Sequence, residues 1–92
     1  MRRRIKHLAK ELERARMLER EAITRGSSAE QRRLHERVLN TEEVLISLIG
    51  AVEDERFRQL LKLKFVDGMA PRHICFILGM SRSSYYRRLK GW

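Results

Sequence analysis

The chain has 92 residues, enough for one domain, and its 21 lysines and arginines outweigh 12 aspartates and glutamates to give a net charge of +9. A charge of this size in a short chain indicates a polyanionic partner, either nucleic acid or an acidic membrane surface. The longest mostly apolar run, residues 44–52, is far shorter than the roughly 20 residues that span a bilayer, so we expect no segment to cross a membrane. A membrane-surface role for the basic first helix is the least favoured alternative, because its apolar stripe is thin and lacks Trp or Phe, and we expect no membrane partner. A single cysteine, Cys75, excludes an internal disulfide and fits a reducing cytoplasm.

Low proline and glycine content and the lack of sustained alternation predict an all-α protein, whose first helix covers residues 2–24. Apolar residues three and four positions apart, from Ile5 to Ala15, form a narrow seam that needs a partner helix. The charged remainder of this helix has two open interpretations. It is either a solvated face with internal ion pairs, or its first residues contact phosphates, namely Arg2, Arg3, Arg4 and Lys6.

A turn is predicted next, because Gly26 suits a left-handed helix end and Ser27 and Ser28 each precede Glu or Gln at capping-box spacing. A second helix follows over about residues 29–49, and the short turn predicts an antiparallel hairpin within residues 1–50. Apolar residues repeat by sevens along this helix, which also permits dimerisation. Packing within one chain and packing against a second copy both remain open for Leu34, Val38 and Leu45.

A third helix is predicted over residues 55–66, with Asp54 as its N-cap and Asp67-Gly68 as its end. Its inner face should carry Phe57, Leu60, Leu61, Lys64 and Phe65, with the Lys64 stem along the edge of the core.

Residues 70–92 predict two short helices joined by a tight turn. Pro71 suits a first helical turn, Gly79 a helix end and Ser81 the N-cap of the second helix. The inward faces are expected to carry Ile74, Ile77 and Leu78 on the first helix and Tyr85 and Leu89 on the second.

The outward residues of the last helix donate hydrogen bonds and carry positive charge, which suits a DNA groove: Arg82, Ser83, Tyr86, Arg87 and Lys90. Arg87 and Arg88 are about 100° apart on a helix, so one should reach DNA while the other forms a salt bridge or reaches backbone. Trp92 is expected to close the hydrophobic core.

Residues 52–89 resemble the helix-turn-helix of sigma-factor C-terminal domains (region four) and, more closely, small phage transcriptional regulators of the ArpU and RinA kind. The resemblance covers about 40 of the 92 residues. Its matching elements are Glu53-Asp54-Glu55-Arg56, Leu60 and Leu61, Phe65, Asp67-Gly68, Ile74, Leu78-Gly79 and Ser81-Arg82-Ser83.

This resemblance implies a three-helix, helix-turn-helix region over residues 51–92, with a recognition helix at residues 81–90 in the major groove. It implies a phage or prophage transcriptional regulator in the bacterial cytoplasm, at the nucleoid. Double-stranded DNA is the expected partner, a homodimer the expected form, and RNA polymerase a further candidate partner. The expected DNA contacts are Arg72, His73, Ser81, Arg82, Ser83, Ser84, Tyr86, Arg87 and Lys90, together with Arg2, Arg3 and Arg4.

The chain departs from that pattern at three places on the first helix of the motif. Ala70 stands where a serine N-cap is usual, Arg72 and His73 where acidic residues are common, and Phe76 where a polar residue is common. Phe76 should project away from the inward face, so we expect the hairpin or a second subunit to cover it. The predicted oligomer or partner interface therefore comprises Leu34, Val38, Leu45 and Phe76.

No arrangement of nucleophile, base and acid stands out, and His7, His35 and His73 lack partners at metal-ligand spacing. We therefore expect no enzyme activity, cofactor, metal or small-molecule ligand. Two alternatives to a regulator remain open. One is a packaging or recombination adaptor, such as a small terminase-like subunit. The other is an interaction module that binds a sigma factor or RNA polymerase and no longer binds DNA.

Overall fold

The structure is a computed structural model that describes all residues from Met1 to Trp92. It is built of five α-helices and one π-helical turn, without strands, so the predicted all-α class is confirmed. The elements are α1 (Arg2–Arg25), α2 (Ser28–Gly50), α3 (Glu55–Leu61), the π-helical turn (Lys62–Val66), α4 (Pro71–Leu78) and α5 (Arg82–Gly91). None of these helices is both long and apolar enough to cross a bilayer.

The connection between α1 and α2 depends on Gly26, which adopts a left-handed conformation with φ of 74°. The backbone N–H groups of Gly26 and Ser27 donate to the carbonyls of Ile23 and Ala22, each at 3.1 Å, and so satisfy the end of α1. Ser27 is the N-cap of α2, but its side chain makes no capping hydrogen bond. The predicted capping box is therefore absent, although the turn lies where it was expected.

Helices α1 and α2 run antiparallel, as two contacts between them show. His35 lies 2.8 Å from the Glu19 carboxylate, and Arg16, which is earlier on α1, pairs with Glu42, which is later on α2. The apolar seam of α1 is buried against α2, with Ile5 fully buried and Leu12 and Ala15 1% exposed.

The second helix contributes Leu34, Val38 and Leu45 to this contact, and none of them is more than 6% exposed. This burial corrects their assignment to an oligomer interface. The same chain already covers all three side chains, so the interpretation of packing within one chain accounts for them.

Asp54 caps α3 as predicted, because its carboxylate accepts from the backbone N–H groups of Arg56 at 3.0 Å and Phe57 at 3.2 Å. The continuation of the helix differs from the prediction. The N–H of Asp67 donates to the carbonyl five residues earlier, at Lys62, which defines the π-helical turn. This wider turn shifts the inward face by one residue. As a result Val66, which was not predicted to face inward, is buried as well. Phe65 packs against the core and Lys64 is half-buried, which agrees with the prediction for these two residues.

Helix α4 begins at Pro71 and ends at Gly79, which is left-handed with φ of 62°. Its buried residues are Ile74 and Cys75, and Leu78 is half-buried. Ile77 is 53% exposed, so the prediction that it faces inward is wrong. The buried face is rotated toward Cys75, whose small side chain lets α4 approach the core closely.

Helix α5 is held to the core by Tyr85, which is fully buried, and by Trp92 just beyond its end. The Trp92 ring meets the Phe57 ring edge-on, with centroids 5.6 Å apart, and lies 6.1 Å from the Phe65 ring. Trp92 is half-buried and packs against one buried cluster, which extends from Ile5 to Tyr85 and joins both halves of the chain.

Candidate nucleic-acid interface

The turn between α4 and α5 is fixed by hydrogen bonds that its own residues and one arginine supply. The Ser81 hydroxyl accepts from the backbone N–H of Ser84 at 3.1 Å and caps α5, and it also donates to the Ser84 hydroxyl at 3.1 Å. Arg56 reaches from α3 to the end of α4, where it donates to the carbonyls of Leu78 and Gly79. The angle between α4 and α5 is therefore tied to α3.

One face of α5 holds five exposed polar side chains, and none of them forms a side-chain hydrogen bond or an ion pair within the chain. Together they offer two guanidinium groups, an ammonium group and two hydroxyls to an incoming ligand. These residues are Arg82, Ser83, Tyr86, Arg87 and Lys90. Ser81 and Ser84 were predicted as contacts too; the Ser81 hydroxyl caps α5, and the Ser84 hydroxyl accepts a hydrogen bond from Ser81.

Two neighbouring arginines on α5 have different environments. Arg88 is ion-paired with Asp54, and its guanidinium carbon lies 5.6 Å from the centre of the Phe57 ring. Arg87 is exposed and unpaired. This agrees with the prediction that one of the two forms a salt bridge, and it leaves Arg87 as the one available to a ligand.

The first turn of α4 adds two exposed side chains beside this face, the cation Arg72 and the hydrogen-bonding His73. Phe76 follows one turn later and is 86% exposed, the largest exposed fraction among the large hydrophobic side chains of the chain. The hairpin therefore does not cover Phe76, and this part of the prediction is wrong. Ile77 extends the same patch.

The basic start of the chain meets the end of α5. The Arg2 guanidinium donates to the backbone carbonyl of Trp92 at 3.4 Å, while Arg3 and Arg4 are exposed. Ile5 directly after them is fully buried in the core. The three arginines are thus held near α5 by an anchored residue.

Two ionisable groups next to this surface have shifted pKa values. The backbone N–H of Phe57 does most to lower the pKa of the Asp54 carboxyl, and the charge of Arg88 adds to the effect. Burial raises the pKa of the Tyr85 hydroxyl above its ordinary value, and the neighbouring Tyr86 and Cys75 add to this. The Tyr85 hydroxyl has no hydrogen-bond partner despite its burial.

Sequence reasoning missed the positioning role of Arg56, which appeared only as one letter of the resemblance pattern. The sequence around Arg56 does not predict this role, because the carbonyl groups that accept its hydrogen bonds lie 22 and 23 residues further along the chain. No three His, Cys, Asp or Glu side chains are grouped in a way that could hold a metal ion.

The fold and surface define the class as a small, strongly basic, all-helical protein with a polar, cationic face on its last helix. A family model described as "Protein of unknown function (DUF1492)" matches residues 18–91, which include all of α2 to α5 and the last part of α1. The chain belongs to this family. No curated protein matches the chain, and no solved structure does.

Proposed function

We propose that this chain is a sequence-specific, double-stranded DNA-binding transcriptional regulator of phage or prophage origin. In this proposal α4 and α5 form a helix-turn-helix, preceded by α3 and by the α1–α2 hairpin. Helix α5 enters the major groove, and Arg82, Ser83, Tyr86 and Arg87 lie nearest the base edges. The protein would act at the bacterial nucleoid.

The outward face of α5 is the observation that carries the proposal. Its five polar side chains are exposed and unpaired, although a surface helix commonly satisfies such groups with its own neighbours. Ten residues make α5 about 15 Å long, and a major groove about 12 Å wide accepts a helix of this kind. Two guanidinium groups on this face can each form a bidentate contact with a guanine edge.

Further basic residues support contacts to the phosphate backbone. Arg72 and His73 occupy the first turn of α4, the helix that crosses the backbone in helix-turn-helix proteins. Arg2, Arg3 and Arg4 lie near the end of α5. Deleting residues 2–6 would also remove the buried Ile5. The combined substitution of the three arginines by glutamine is therefore the informative variant.

We also propose that a second copy of this chain covers Phe76 and Ile77. A patch that pairs with itself across a two-fold axis produces a closed dimer. A dimer would place two α5 helices on half-sites about 34 Å apart, one turn of duplex DNA. RNA polymerase, the other candidate partner, would instead bind this patch as a different protein surface.

An interaction module without DNA binding is a second candidate function, and the 86% exposure of Phe76 is the observation that favours it. In that case α4 would make the principal contact with the partner protein, and the outward face of α5 would take no part in binding. The packaging adaptor, the remaining alternative, would differ from the regulator in oligomeric state, because it would form a ring and the regulator would form a dimer.

Selection of bound duplexes from random DNA, combined with a mass measurement in solution, tests these proposals together. A regulator enriches one sequence, binds it with strong salt dependence and has the mass of a dimer. A chain that enriches no sequence and binds no duplex at low salt contradicts the proposed function. A ring-sized assembly would instead favour the adaptor.

A further inference from the structure

A second cationic surface lies away from the outward face of α5. It is an open groove of about 630 Å³ between α1 and the π-helical turn. Five basic side chains line it against a single acidic one, Glu13. The basic residues are Lys6, Lys10, Arg16, Arg20 and Lys64. We refer to this surface as the α1 groove.

Four of the five basic groups are available to a ligand. Arg16 is not, because it pairs with Glu42 and donates to the carbonyl of Val66 at 2.8 Å. Lys6 and Lys10 are exposed and unpaired. Arg20 makes only a 3.5 Å hydrogen bond to a carbonyl of its own helix. The fourth, Lys64, makes no ion pair.

Helix periodicity makes this surface continuous with the end of α5. Arg2, Lys6 and Lys10 are spaced four residues apart and therefore share one side of α1. Arg2 donates to the carbonyl of Trp92. One end of the α1 groove thus begins where α5 ends.

Lys64 makes a second connection to α5 from the opposite wall. Its Nζ atom lies 5.9 Å from the centre of the Tyr85 ring, and the Tyr85 and Tyr86 rings are 4.9 Å apart. Tyr86 belongs to the outward face of α5. The buried Tyr85 ring thus lies between Lys64 of the α1 groove and Tyr86 of the outward face of α5.

We infer that the α1 groove binds the phosphate backbone of the same DNA duplex, beside the base pairs that α5 reads. This inference rests on the proposed function. The charges extend from residue 6 to residue 20, about 21 Å along a helix that rises 1.5 Å per residue. This length suits a polyanion, and at 3.4 Å per base pair it corresponds to roughly six base pairs of flanking DNA.

The chemistry of the α1 groove predicts affinity without sequence preference. Lysine ammonium groups are point charges on flexible stems, suited to phosphate oxygens and weak in discriminating base edges. Each phosphate neutralised releases condensed counterions, so the contacts should appear in the salt dependence of binding. The preference for the selected sequence should remain with α5.

The test compares two triple variants that remove equal charge. K10Q/R20Q/K64Q removes three cations of the α1 groove and leaves the α5 face intact. R32Q/R33Q/R37Q removes three exposed cations of α2 that do not line the groove. Affinity of each variant is measured from low to moderate salt, on the duplex that the wild-type chain selects and on a random duplex of the same length.

We expect the groove variant to lower the slope of log affinity against log salt by roughly 2 to 3, since each phosphate contact contributes about 0.9. The ratio of specific to random affinity should stay unchanged. The α2 control should change the slope by less than about 1. Trimming the flanking DNA by roughly six base pairs on each side should abolish the difference between wild type and groove variant.

Equal slopes for the groove variant and the α2 control, or an effect that survives trimming, would overturn the inference and leave the proposed function standing. A wild-type chain that binds no duplex overturns both. Melting temperatures establish that the variants are folded. If K10Q/R20Q/K64Q unfolds, the double variant K10Q/R20Q decides the matter, with an expected fall in slope of roughly 2.

Discussion

Arg87 and Arg88 allow the proposed DNA contact to be separated from the stability of the fold, because they are adjacent in sequence and different in environment. Arg87 is exposed and unpaired, whereas Arg88 contacts Asp54 and the Phe57 ring. Arg87→Ala should weaken specific DNA binding and leave stability unchanged. Arg88→Ala should lower stability and leave the preference for the selected sequence unchanged.

The magnitudes follow from these contacts. The side chains of Arg88 and Asp54 are 37% and 48% exposed, so solvent screens their ion pair and it adds little to stability. The position over the Phe57 ring contributes about 0.5–1 kcal/mol. Loss of this ring contact corresponds to a fall in melting temperature of roughly 2–8 °C for a domain of this size. Arg87→Ala should change stability by less than about 0.5 kcal/mol.

On the DNA side, loss of a bidentate contact to a base edge costs about 1–3 kcal/mol, a factor of roughly 5 to 150 in affinity. Thermal melting followed by circular dichroism gives the stability of each variant, and fluorescence anisotropy gives its affinity for the selected and a random duplex. Equal losses of affinity on both duplexes for Arg87→Ala would show that this side chain contacts phosphate only. A destabilised Arg87→Ala chain would contradict the assignment of the two roles.

Three further substitutions test other parts of the structure. Phe76→Glu should convert the proposed dimer to a monomer, as measured by sedimentation. Because the side chain is 86% exposed within one chain, the melting temperature of the variant should stay within a few degrees of that of the wild-type monomer. A wild-type chain that sediments as a monomer refutes the proposed interface. Tyr85→Phe should raise the free energy of unfolding by about 1 kcal/mol, since it removes a buried hydroxyl without a partner; a loss of that size would indicate a hydrogen bond in solution. Asp54→Asn keeps an N-cap but removes the partner of Arg88. The pKa of Asp54 is lowered from its ordinary value of 3.8, so its contribution is complete above that pH and is lost as the pH falls through the lower, folded-state pKa. The deficit in melting temperature of Asp54→Asn at pH 7 should therefore shrink on acidification, and a deficit that does not vary with pH contradicts an ionic contribution.

The ends of the helices could be predicted well from sequence because they depend on local chemistry. Gly26 and Gly79 adopt the left-handed conformation that only glycine accepts readily, and both end helices where expected. Asp54 and Ser81 cap the helices that were predicted to follow them. The hydrogen bonds that define these caps reach only two or three residues along the chain.

The errors lie where packing between distant segments decides the outcome. Periodicity assumed an unbroken α-helix and left Val66 off the inner face, whereas the π-helical turn buries Val66 beside the half-buried Phe65. A similar rotation of α4 buries Cys75 and exposes Ile77. In both helices the apolar residues outnumber the positions that face the core, so spacing alone cannot choose among them.

For the candidate site, sequence could predict the chemistry of α5 but not which groups the rest of the chain occupies. Helical spacing indicated that either Arg87 or Arg88 would form a salt bridge. It is Arg88 that does so, because its partner Asp54, 34 residues away in sequence, lies beside it in the fold. The expectation for Phe76 failed for another reason. Whether an exposed aromatic ring is covered depends on what the chain assembles with, and the sequence of one chain does not identify that partner.

The contact between Arg2 and the carbonyl of Trp92 has a practical consequence for working with this protein. Peptides fused to the two ends would emerge near each other, beside the end of α5, and would be close to the DNA contacts proposed for Arg2, Arg3 and Arg4. A purification tag on either terminus could thus reduce DNA affinity by obstruction alone. The same proximity allows the two ends to be linked by a short glycine-serine segment and the chain to be reopened at the exposed Gly26 turn. Such a circular permutant would present tags at the far end of the hairpin and leave the α5 face unobstructed.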